Sequence, residues 1–221
     1  MSTSTPARPR ADAARPVQRR ARETRQRIER AALEAFADAG FDGASTGGIA
    51  KRAGVTQQNV IYHYETKLSL WQAVADGLFE RVNARTTARL EGLAGVDEGT
   101  RARLMIAEFV RFSAEVPELA RFMMHEGSRD SDRLDWIVER HLRSTFELLV
   151  GAIGRAQDAG AVTRGDPVHL FFLMLGSAAV LAQPAQSRAL SGRDLAAEDE
   201  IDAYAELVVR LFSAAERREN E

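Results

Sequence analysis

Amide, hydroxyl and imidazole side chains are concentrated in one short window of this chain, GVTQQNVIYHYETK, from Gly54 to Lys67. Amides and hydroxyls both donate and accept hydrogen bonds, and a histidine can change its charge near neutral pH. Such a cluster could line a catalytic pocket, or it could form a surface that contacts a hydrated, charged and patterned partner. No nucleophile elbow, phosphate-binding glycine loop or dinucleotide fingerprint accompanies it, so no catalytic residue is predicted.

Positive charge is concentrated in the same part of the chain. Residues 1–67 contain 12 Lys and Arg against 7 Asp and Glu, a net charge of +5. The remaining residues contain 18 against 25, a net charge of −7, which together give the −2 of the whole chain. A basic segment attached to a mildly acidic body predicts a polyanionic partner for one end only.

Composition and spacing argue against several other kinds of site. The chain has no cysteine, which excludes disulfides and cysteine metal ligands and fits a cytoplasmic location. No apolar run approaches the roughly 20 residues that span a bilayer, so no membrane partner is predicted. The histidines show no metal-binding spacing, so neither a metal nor a cofactor is predicted; they are His63, His125, His141 and His169.

The elements that position the polar window are predicted to be helices. From Thr24 the apolar residues recur with helical spacing, and Gly40 is expected to end that helix in a left-handed conformation. Ser45 and Thr56 are expected to cap a second and a third short helix. Further helices are predicted at 67–93, 98–115, 117–126, 131–159, 166–182 and 198–216, with a loop at 183–194. The predicted fold class is all-α, with about nine helices and no strand.

The spacing of small and apolar residues around the window predicts how its helices cross. Ala50 is small enough to let the third helix cross the second closely, and Gly54 supplies the positive φ of a tight turn. Val60 then closes a small core together with Ile49 and Val55. This is the pattern of a helix-turn-helix, whose second helix lies in the DNA major groove.

These segments resemble the TetR family of bacterial transcriptional regulators (TetR/AcrR type). The resemblance rests on RIERAALEAFADAGFDGAST (27–46), IAKRAGVTQQNVIYHYETK (49–67) and LSLWQAV (68–74). It implies a homodimer with a three-helix DNA-binding head and a helical ligand-binding domain. The predicted domains are a disordered basic arm at 1–23, a helix-turn-helix domain at 24–66 and a ligand-binding and dimerisation domain at 67–221.

The resemblance also assigns DNA-contacting positions. Gln57, Gln58 and Asn59 occupy the exposed start of the third helix, and their amides could pair bidentately with adenine. The positions that the family uses for phosphates are Ser45, Thr56, Tyr62, His63 and Lys67. The chain departs from the family pattern at Gly47, where many members carry a polar side chain, at Ile61, and at Tyr64, which is expected in the core.

In the C-terminal region the resemblance implies an effector pocket and a dimer interface. Large side chains that could line the pocket, or could simply be core, are Trp71, Phe109, Phe112, Phe122, Met123, Met124, Trp136 and Phe146. The helix at 166–182 is apolar on most faces, and the last helix carries an apolar stripe, so both are predicted to dimerise unless they are buried within one subunit. The interface candidates are Phe171, Met174, Gly176, Ala179, Tyr204, Val208, Leu211 and Phe212.

The sequence therefore predicts a homodimeric repressor that a small-molecule effector releases from a palindromic double-stranded DNA operator. Binding of the effector is expected to shift the helix at 67–93 and so to change the DNA affinity. The alternatives are a ligand-independent DNA-binding regulator or activator, and a helical enzyme.

Overall fold

Helices dominate the computed structural model, which describes the backbone of residues 14–214 and the side chains of residues 18–214. The first helices are α1 (Ala14–Gly43), α2 (Thr46–Ala53), α3 (Gln57–His63) and α4 (Lys67–Gly92). They are followed by α5 (Glu98–Glu115), α6 (Pro117–Glu126), α7 (Asp132–Ile137) and α8 (Arg143–Asp158). The last are α9 (Pro167–Ala179), α10 (Pro184–Ser191) and α11 (Glu198–Phe212). The prediction of an all-α fold is confirmed.

Two short segments of other helical geometry extend this order. Val138–Leu142 form a π-helical turn between α7 and α8, and Val180–Ala182 form a 3₁₀ turn after α9. Within residues 14–214 the only β-type pairing is an isolated antiparallel bridge between Val162 and Ser213. There the Thr163 N–H donates to the Phe212 carbonyl at 2.9 Å, which fixes the C-terminal end of α11.

The chain divides into two compact units, Met1–Val74 and Ala75–Glu221, and α4 contributes to both. The sequence placed this boundary at 66/67. The first two turns of α4 belong with the N-terminal unit because Leu70 and Trp71 are fully buried and the Trp71 ring lies edge-on to Phe41, with centroids 6.3 Å apart.

The N-terminal unit, called the head below, is held by small and branched apolar side chains. Ile28, Ala32 and Phe36 of α1 are almost completely buried, at the helical spacing that the sequence shows. Ile49 of α2 and Val60 of α3 are also fully buried. Arg52 of α2 forms ion pairs with Glu34 (3.5 Å) and Asp38 (3.1 Å) of α1, at the surface of this core.

The main core of the C-terminal unit joins α5, α9 and α11. It is formed by Ile106, Val110, Met174, Leu181, Ala205 and Val208. The Tyr204 hydroxyl donates a 2.5 Å hydrogen bond to the Ser177 carbonyl, which ties α11 to α9. A smaller cluster of Ala156, Val162 and Leu170 lies where α8 and α9 meet.

Several boundaries differ from the sequence prediction. α1 begins at Ala14, ten residues before Thr24, since Arg, Gln, Glu and Ala favour helix and Pro16 falls in the first turn, where a missing N–H is tolerated. The predicted arm is therefore helical from residue 14, and residues 1–13 lie outside the described residues. The predicted loop at 183–194 contains α10, in which Pro184 begins the helix and Gly192 (φ 71°) ends it. The π turn interrupts the helix predicted at 131–159.

The end of the last helix also differs. α11 ends at Phe212, and Ser213 has an extended backbone (φ −69°, ψ 141°) that pairs with Val162. The prediction ran to residue 216, and residues 215 and 216 lie outside the described residues.

Among the described residues no single helix is both long enough and apolar enough to cross a membrane. Two consecutive helical segments, Pro167–Ala182 and Pro184–Ser191, are together long and apolar enough, but the chain bends by 76° between them.

Candidate DNA-binding site

The head presents two short helices whose ends are defined by local hydrogen bonds. Ser45 has an extended backbone, and its hydroxyl accepts a 3.1 Å bond from the Gly48 N–H, which caps α2. Gly54 (φ 65°, ψ 38°) ends α2 in the left-handed region that glycine adopts without steric cost. The Thr56 hydroxyl accepts a 3.2 Å bond from the Asn59 N–H and caps α3. The predicted caps Ser45 and Thr56 and the predicted turn at Gly54 are confirmed. Gly40 has a positive φ (69°) but a ψ of 178°, so it kinks α1 instead of ending it in the left-handed conformation that the sequence predicted.

α3 directs its polar side chains outward, and few apolar side chains pack it against the rest of the head. Gln57, Gln58 and Asn59 are exposed, whereas Val60 is 1% exposed. Tyr62 is 83% exposed, and its ring lies edge-on to His63 with centroids 5.2 Å apart. This arrangement leaves the start of α3 open to a partner.

Gln57 makes a contact that sequence reasoning missed. Its Nε2 donates a 3.1 Å hydrogen bond to the Thr46 hydroxyl in the first turn of α2. A Cβ on Gly47 would lie 3.6 Å from the Gln57 Oε1, so the amide lies directly over a residue without a side chain. In the sequence, Gly47 stood out only as a position where many members of the family carry a polar side chain.

A polar cluster joins the C-terminal end of α3 to α1. Tyr64, the C-terminal cap residue of α3, is 7% exposed, and its hydroxyl donates a 2.5 Å bond to Glu29. The Arg25 Nε donates to the same carboxylate (2.9 Å) and to the Tyr64 hydroxyl (3.1 Å). Burial, and then the hydrogen bond to Glu29, raise the pKa of the Tyr64 phenol. The core position expected for Tyr64 is confirmed, with a polar partner that the sequence did not show.

Lys67 stands at the first turn of α4 and is engaged within the head. Its Nζ donates to the Asp42 carbonyl at 3.4 Å and lies 4.5 Å from the centroid of the Phe41 ring. The ammonium is therefore held beside the turn between α1 and α2. Contacts of Lys67, and of the other assigned positions, with DNA stay predictions.

The residues predicted to line an effector pocket do not form one cluster. Trp71 belongs to the head, Phe109 packs against the main core, and Phe146 stacks edge-on against Phe171 with centroids 5.0 Å apart. The Phe112 ring is covered by the Arg85 guanidinium at 4.8 Å. Met124 is 50% exposed, so it is corrected from an interior to a surface position.

Phe122, Met123 and Trp136 complete that set. Phe122 is fully buried against Phe79, with ring centroids 6.4 Å apart, and Met123 is half-buried. Trp136 lies edge-on to His141, with centroids 5.4 Å apart. Phe122 and Trp136 therefore lie around a shared aromatic group, which also includes Phe79 and His141.

That aromatic group contains a buried histidine paired with a half-buried aspartate. His141, in the π turn, is 7% exposed, and its Nε2 lies 2.8 Å from the Asp76 Oδ1. Its ring stacks on Phe79 with centroids 5.4 Å apart. The Arg140 Nε also donates to Asp76 at 2.7 Å. Sequence reasoning treated His141 as an ordinary solvated or locally bonded histidine, because its partner is 65 residues away.

The predicted dimer residues separate into buried and exposed groups. Met174 (9% exposed) and Val208 (2%) pack in the main core, so they are corrected from interface to core positions. The helical period of α9 instead exposes Phe172 (59%) and Leu173 (62%), while α11 exposes Leu211 (69%). Gly176 is exposed, and the half-buried candidates are Phe171, Ala179, Tyr204 and Phe212.

No group of three or more His, Asp or Glu side chains within the described part of the chain could hold a metal ion.

Comparisons with known proteins match this geometry. Residues 28–74 match the family described as "Bacterial regulatory proteins, tetR family". The HTH-type transcriptional regulator TtgW of Pseudomonas putida, itself uncharacterised, is 48% identical over 61 residues, which are 28% of this chain and 46% of TtgW. The chain therefore spans less than half of the length of that relative.

Longer similarities exist at lower identity. The HTH-type transcriptional regulator RutR of Escherichia coli O157:H7 is 27% identical over 187 residues, covering 82% of this chain and 85% of RutR. The crystal structure of the transcriptional regulator FadR from Bacillus subtilis, in complex with stearoyl-CoA, superposes with a TM-score of 0.60 at 17% identity, covering 85% of this chain and 98% of FadR. Residues 28–74 therefore belong to the TetR family of bacterial regulatory proteins, whose members are DNA-binding transcriptional regulators and not enzymes.

Proposed function

We propose that this protein is a homodimeric, sequence-specific repressor that a small-molecule effector releases from a palindromic operator. The observation that carries the proposal is the exposed row Gln57, Gln58 and Asn59, which begins α3 directly after a capped turn. A side-chain amide can form two hydrogen bonds with adenine in the major groove, and a good bidentate pair discriminates against a wrong base by about 1–3 kcal/mol. These three residues are the proposed base readers.

The proposed phosphate contacts lie on either side of the readers in the sequence. The hydroxyls of Ser45 and Thr56 stand at the N-terminal ends of α2 and α3, where backbone N–H groups favour anions. Tyr62, His63 and Lys67 follow the readers at the end of α3 and the start of α4. Phosphate contacts position a protein on the duplex, and base contacts then supply the sequence preference.

Dimerisation is proposed through α9 and α11. Phe172, Leu173 and Leu211 are each more than half exposed, and large apolar side chains exposed on neighbouring helices are typical of a protein–protein contact. Gly176 and Ala179 lack bulk and would allow another helix to approach closely. A two-fold contact of these helices buries the apolar groups and pairs two recognition helices, as a palindromic operator requires.

The effector proposal rests on likeness to FadR, which was crystallised in complex with stearoyl-CoA. That likeness concerns the fold, so the chemical class of this chain's effector is left open. α4 contributes to both units, and a ligand-dependent shift of this helix is the proposed route from effector binding to weaker DNA binding.

Selection from a random duplex pool, followed by fluorescence anisotropy, tests the DNA-binding proposal. We expect enrichment of a palindrome whose half-sites are centred about 10–10.5 base pairs apart, or a multiple of this spacing. Affinity for the enriched duplex should fall steeply with salt, because bound phosphates release counterions. If no sequence is enriched at any salt concentration, the protein does not read DNA and the proposal fails.

Sedimentation equilibrium tests the dimer. Leu173→Glu places a charge on the exposed face of α9 and should convert a dimer into a monomer while the helical circular dichroism is retained. Leu190→Glu is the matched control, because Leu190 is 81% exposed on α10 and should leave the dimer intact. A wild-type monomer, or equal behaviour of the two variants, would contradict an interface on α9.

A thermal-shift screen of small molecules, repeated on the operator complex, separates the regulatory alternatives. A compound that raises the melting temperature and weakens operator binding supports a ligand-released repressor. If no compound changes the melting temperature or operator binding, the ligand-independent regulator or activator is supported instead.

A further inference from the structure

We propose that Thr46 is a specificity-determining positioning residue, which holds the Gln57 amide in the orientation that reads one base pair. The inference rests on the proposed DNA-binding function and assigns a role to a residue outside the DNA contacts named above. It concerns only α2 and α3 of the head.

The contact spans the turn of the helix-turn-helix. Thr46 is the first residue of α2, and Gln57 is the first residue of α3, yet the Gln57 Nε2 reaches the Thr46 Oγ1 at 3.1 Å. Thr46 is half-buried, and its χ1 is restricted because it is β-branched, so the acceptor is itself well fixed. Gln57 is exposed and would otherwise sample many rotamers.

The bond leaves the Gln57 amide able to read a base. An amide nitrogen carries two hydrogens, and the carbonyl oxygen has two lone pairs. The bond to Thr46 uses one hydrogen, so the second hydrogen and Oε1 stay available for the N7 and N6 positions of adenine. A side chain that is already oriented loses less conformational entropy on binding, which favours the base that fits this orientation.

The glycine pair after Thr46 fits the same role. A Cβ at Gly47 would be 3.6 Å from the Gln57 Oε1, which is ordinary van der Waals contact, so a side chain much larger than that of alanine would compete with the amide for this space. A Cβ at Gly48 would be 3.0 Å from the Ser45 hydroxyl, which caps α2. Gly47 leaves room for Gln57, and Gly48 leaves room for the cap.

The alternative role for Thr46 is direct contact with a phosphate, since its hydroxyl is in the first turn of α2. The two roles differ in what they predict for different DNA sequences. A phosphate contact changes the affinity for all duplexes alike, whereas a positioning residue changes the discrimination at one base pair.

The experiment measures the affinity of the full chain for the selected operator and for every single-base-pair variant of one half-site. The proteins compared are wild type, Thr46→Val, Thr46→Ser, Gln57→Ala and the double variant Thr46→Val/Gln57→Ala. Valine keeps the shape of threonine without the hydroxyl, and serine keeps the hydroxyl. Circular dichroism melting checks that each head is folded.

We expect Gln57→Ala to abolish discrimination at one base pair and Thr46→Val to reduce it about 3- to 10-fold at that same pair, with Thr46→Ser close to wild type. The double variant should discriminate no worse than Gln57→Ala, because the hydroxyl acts only through the amide. Gly47→Leu, which retains Thr46, should reproduce the loss at the same base pair and so provides an independent variant.

Two results would overturn the inference while leaving DNA binding intact. If Thr46→Val weakens binding to all duplexes equally, Thr46 contacts a phosphate. If its effect adds fully to that of Gln57→Ala, or appears at a different base pair, Thr46 acts without Gln57. A wild-type protein that enriches no sequence would instead overturn the proposed function, and the present inference with it.

Discussion

Replacement of Tyr64 by phenylalanine tests whether the polar cluster beneath α3 stabilises the head. The ring of Tyr64 is buried, and phenylalanine preserves its packing while removing the hydroxyl that bonds Glu29 at 2.5 Å and Arg25 at 3.1 Å. Hydrogen bonds to charged groups contribute about 1.5–3 kcal/mol when both partners are sheltered. Here the Arg25 and Glu29 side chains are 57% and 31% exposed, and in the variant they would still bond to each other. Water can therefore hydrogen-bond to them in place of the missing hydroxyl, which reduces the loss of stability.

We therefore expect Tyr64→Phe to lower the free energy of unfolding of the head by about 1–2 kcal/mol, or about 0.5–1 M in urea midpoint. The two tryptophans allow this unit to be followed by itself, because Trp71 lies in the head and Trp136 in the C-terminal unit. In a Trp136→Phe background, fluorescence reports the unfolding of the head alone. This separation matters because a chain of two units need not unfold in one step.

The pH dependence of the same measurement gives a second test. Because the folded pKa of Tyr64 is raised above its ordinary value of 10.0, the neutral phenol stabilises the folded head, fully so below that value. This contribution is lost as the pH rises above 10, so the stability difference between wild type and Tyr64→Phe should shrink there.

Tyr62→Phe is the matched control, since Tyr62 is 83% exposed and its replacement should change stability by less than about 0.5 kcal/mol. A Tyr64→Phe effect no larger than that of Tyr62→Phe would refute the reasoning. So would a stability difference that stays constant from pH 8 to pH 11.

Two further substitutions follow from the head. Gly54→Ala forces a side chain into the left-handed region (φ 65°) and should destabilise the head by about 1–2 kcal/mol, whereas Gly54→Asn should be less harmful. Urea unfolding followed by Trp71 fluorescence measures both variants. Equal stability of Gly54→Ala and wild type would contradict the turn geometry. Gln58→Ala should lose discrimination at one operator base pair, whereas Lys67→Ala should weaken binding to all duplexes and reduce the salt slope by about one unit. Anisotropy on matched and mutated operators separates the two, and a uniform loss for Gln58→Ala would exclude base reading by that residue.

Features of the head that depend on neighbours in sequence were predictable. Ser45 and Thr56 cap helices through N–H groups three residues further on, and Gly54 adopts a conformation that few other residues tolerate. These signals lie within a few positions of each other. These local features therefore do not depend on how the rest of the chain packs.

Features that depend on distant partners were not predictable. The Tyr64 hydroxyl bonds Glu29 across 35 residues, and Gln57 bonds Thr46 across 11. No spacing rule links such pairs before the helices are packed. The same limit applies to Met174 and Val208, which an apolar pattern cannot assign to the core or to an interface, because both environments favour the same side chains.

Proline and glycine gave ambiguous boundary signals. Pro184 and Gly192 were interpreted as loop residues, yet they begin and end α10. Proline is tolerated in a first helical turn and glycine favours a C-terminal cap, so each residue fits a loop and a helix end equally well. Pro16 near the start of α1 led to the same error.

The π turn at Val138–Leu142 has a consequence for how the length of this chain can vary. A π turn contains one residue more than an α-helical turn needs, and here the extra residue is accommodated between α7 and α8. Deleting the exposed Glu139 would let the segment become continuous α-helix while Trp136 and Phe146 keep their present faces. A deletion within α5 would instead rotate every later residue of that helix by about 100°. We expect homologous chains to gain and lose a single residue at this turn more readily than in the helices around it.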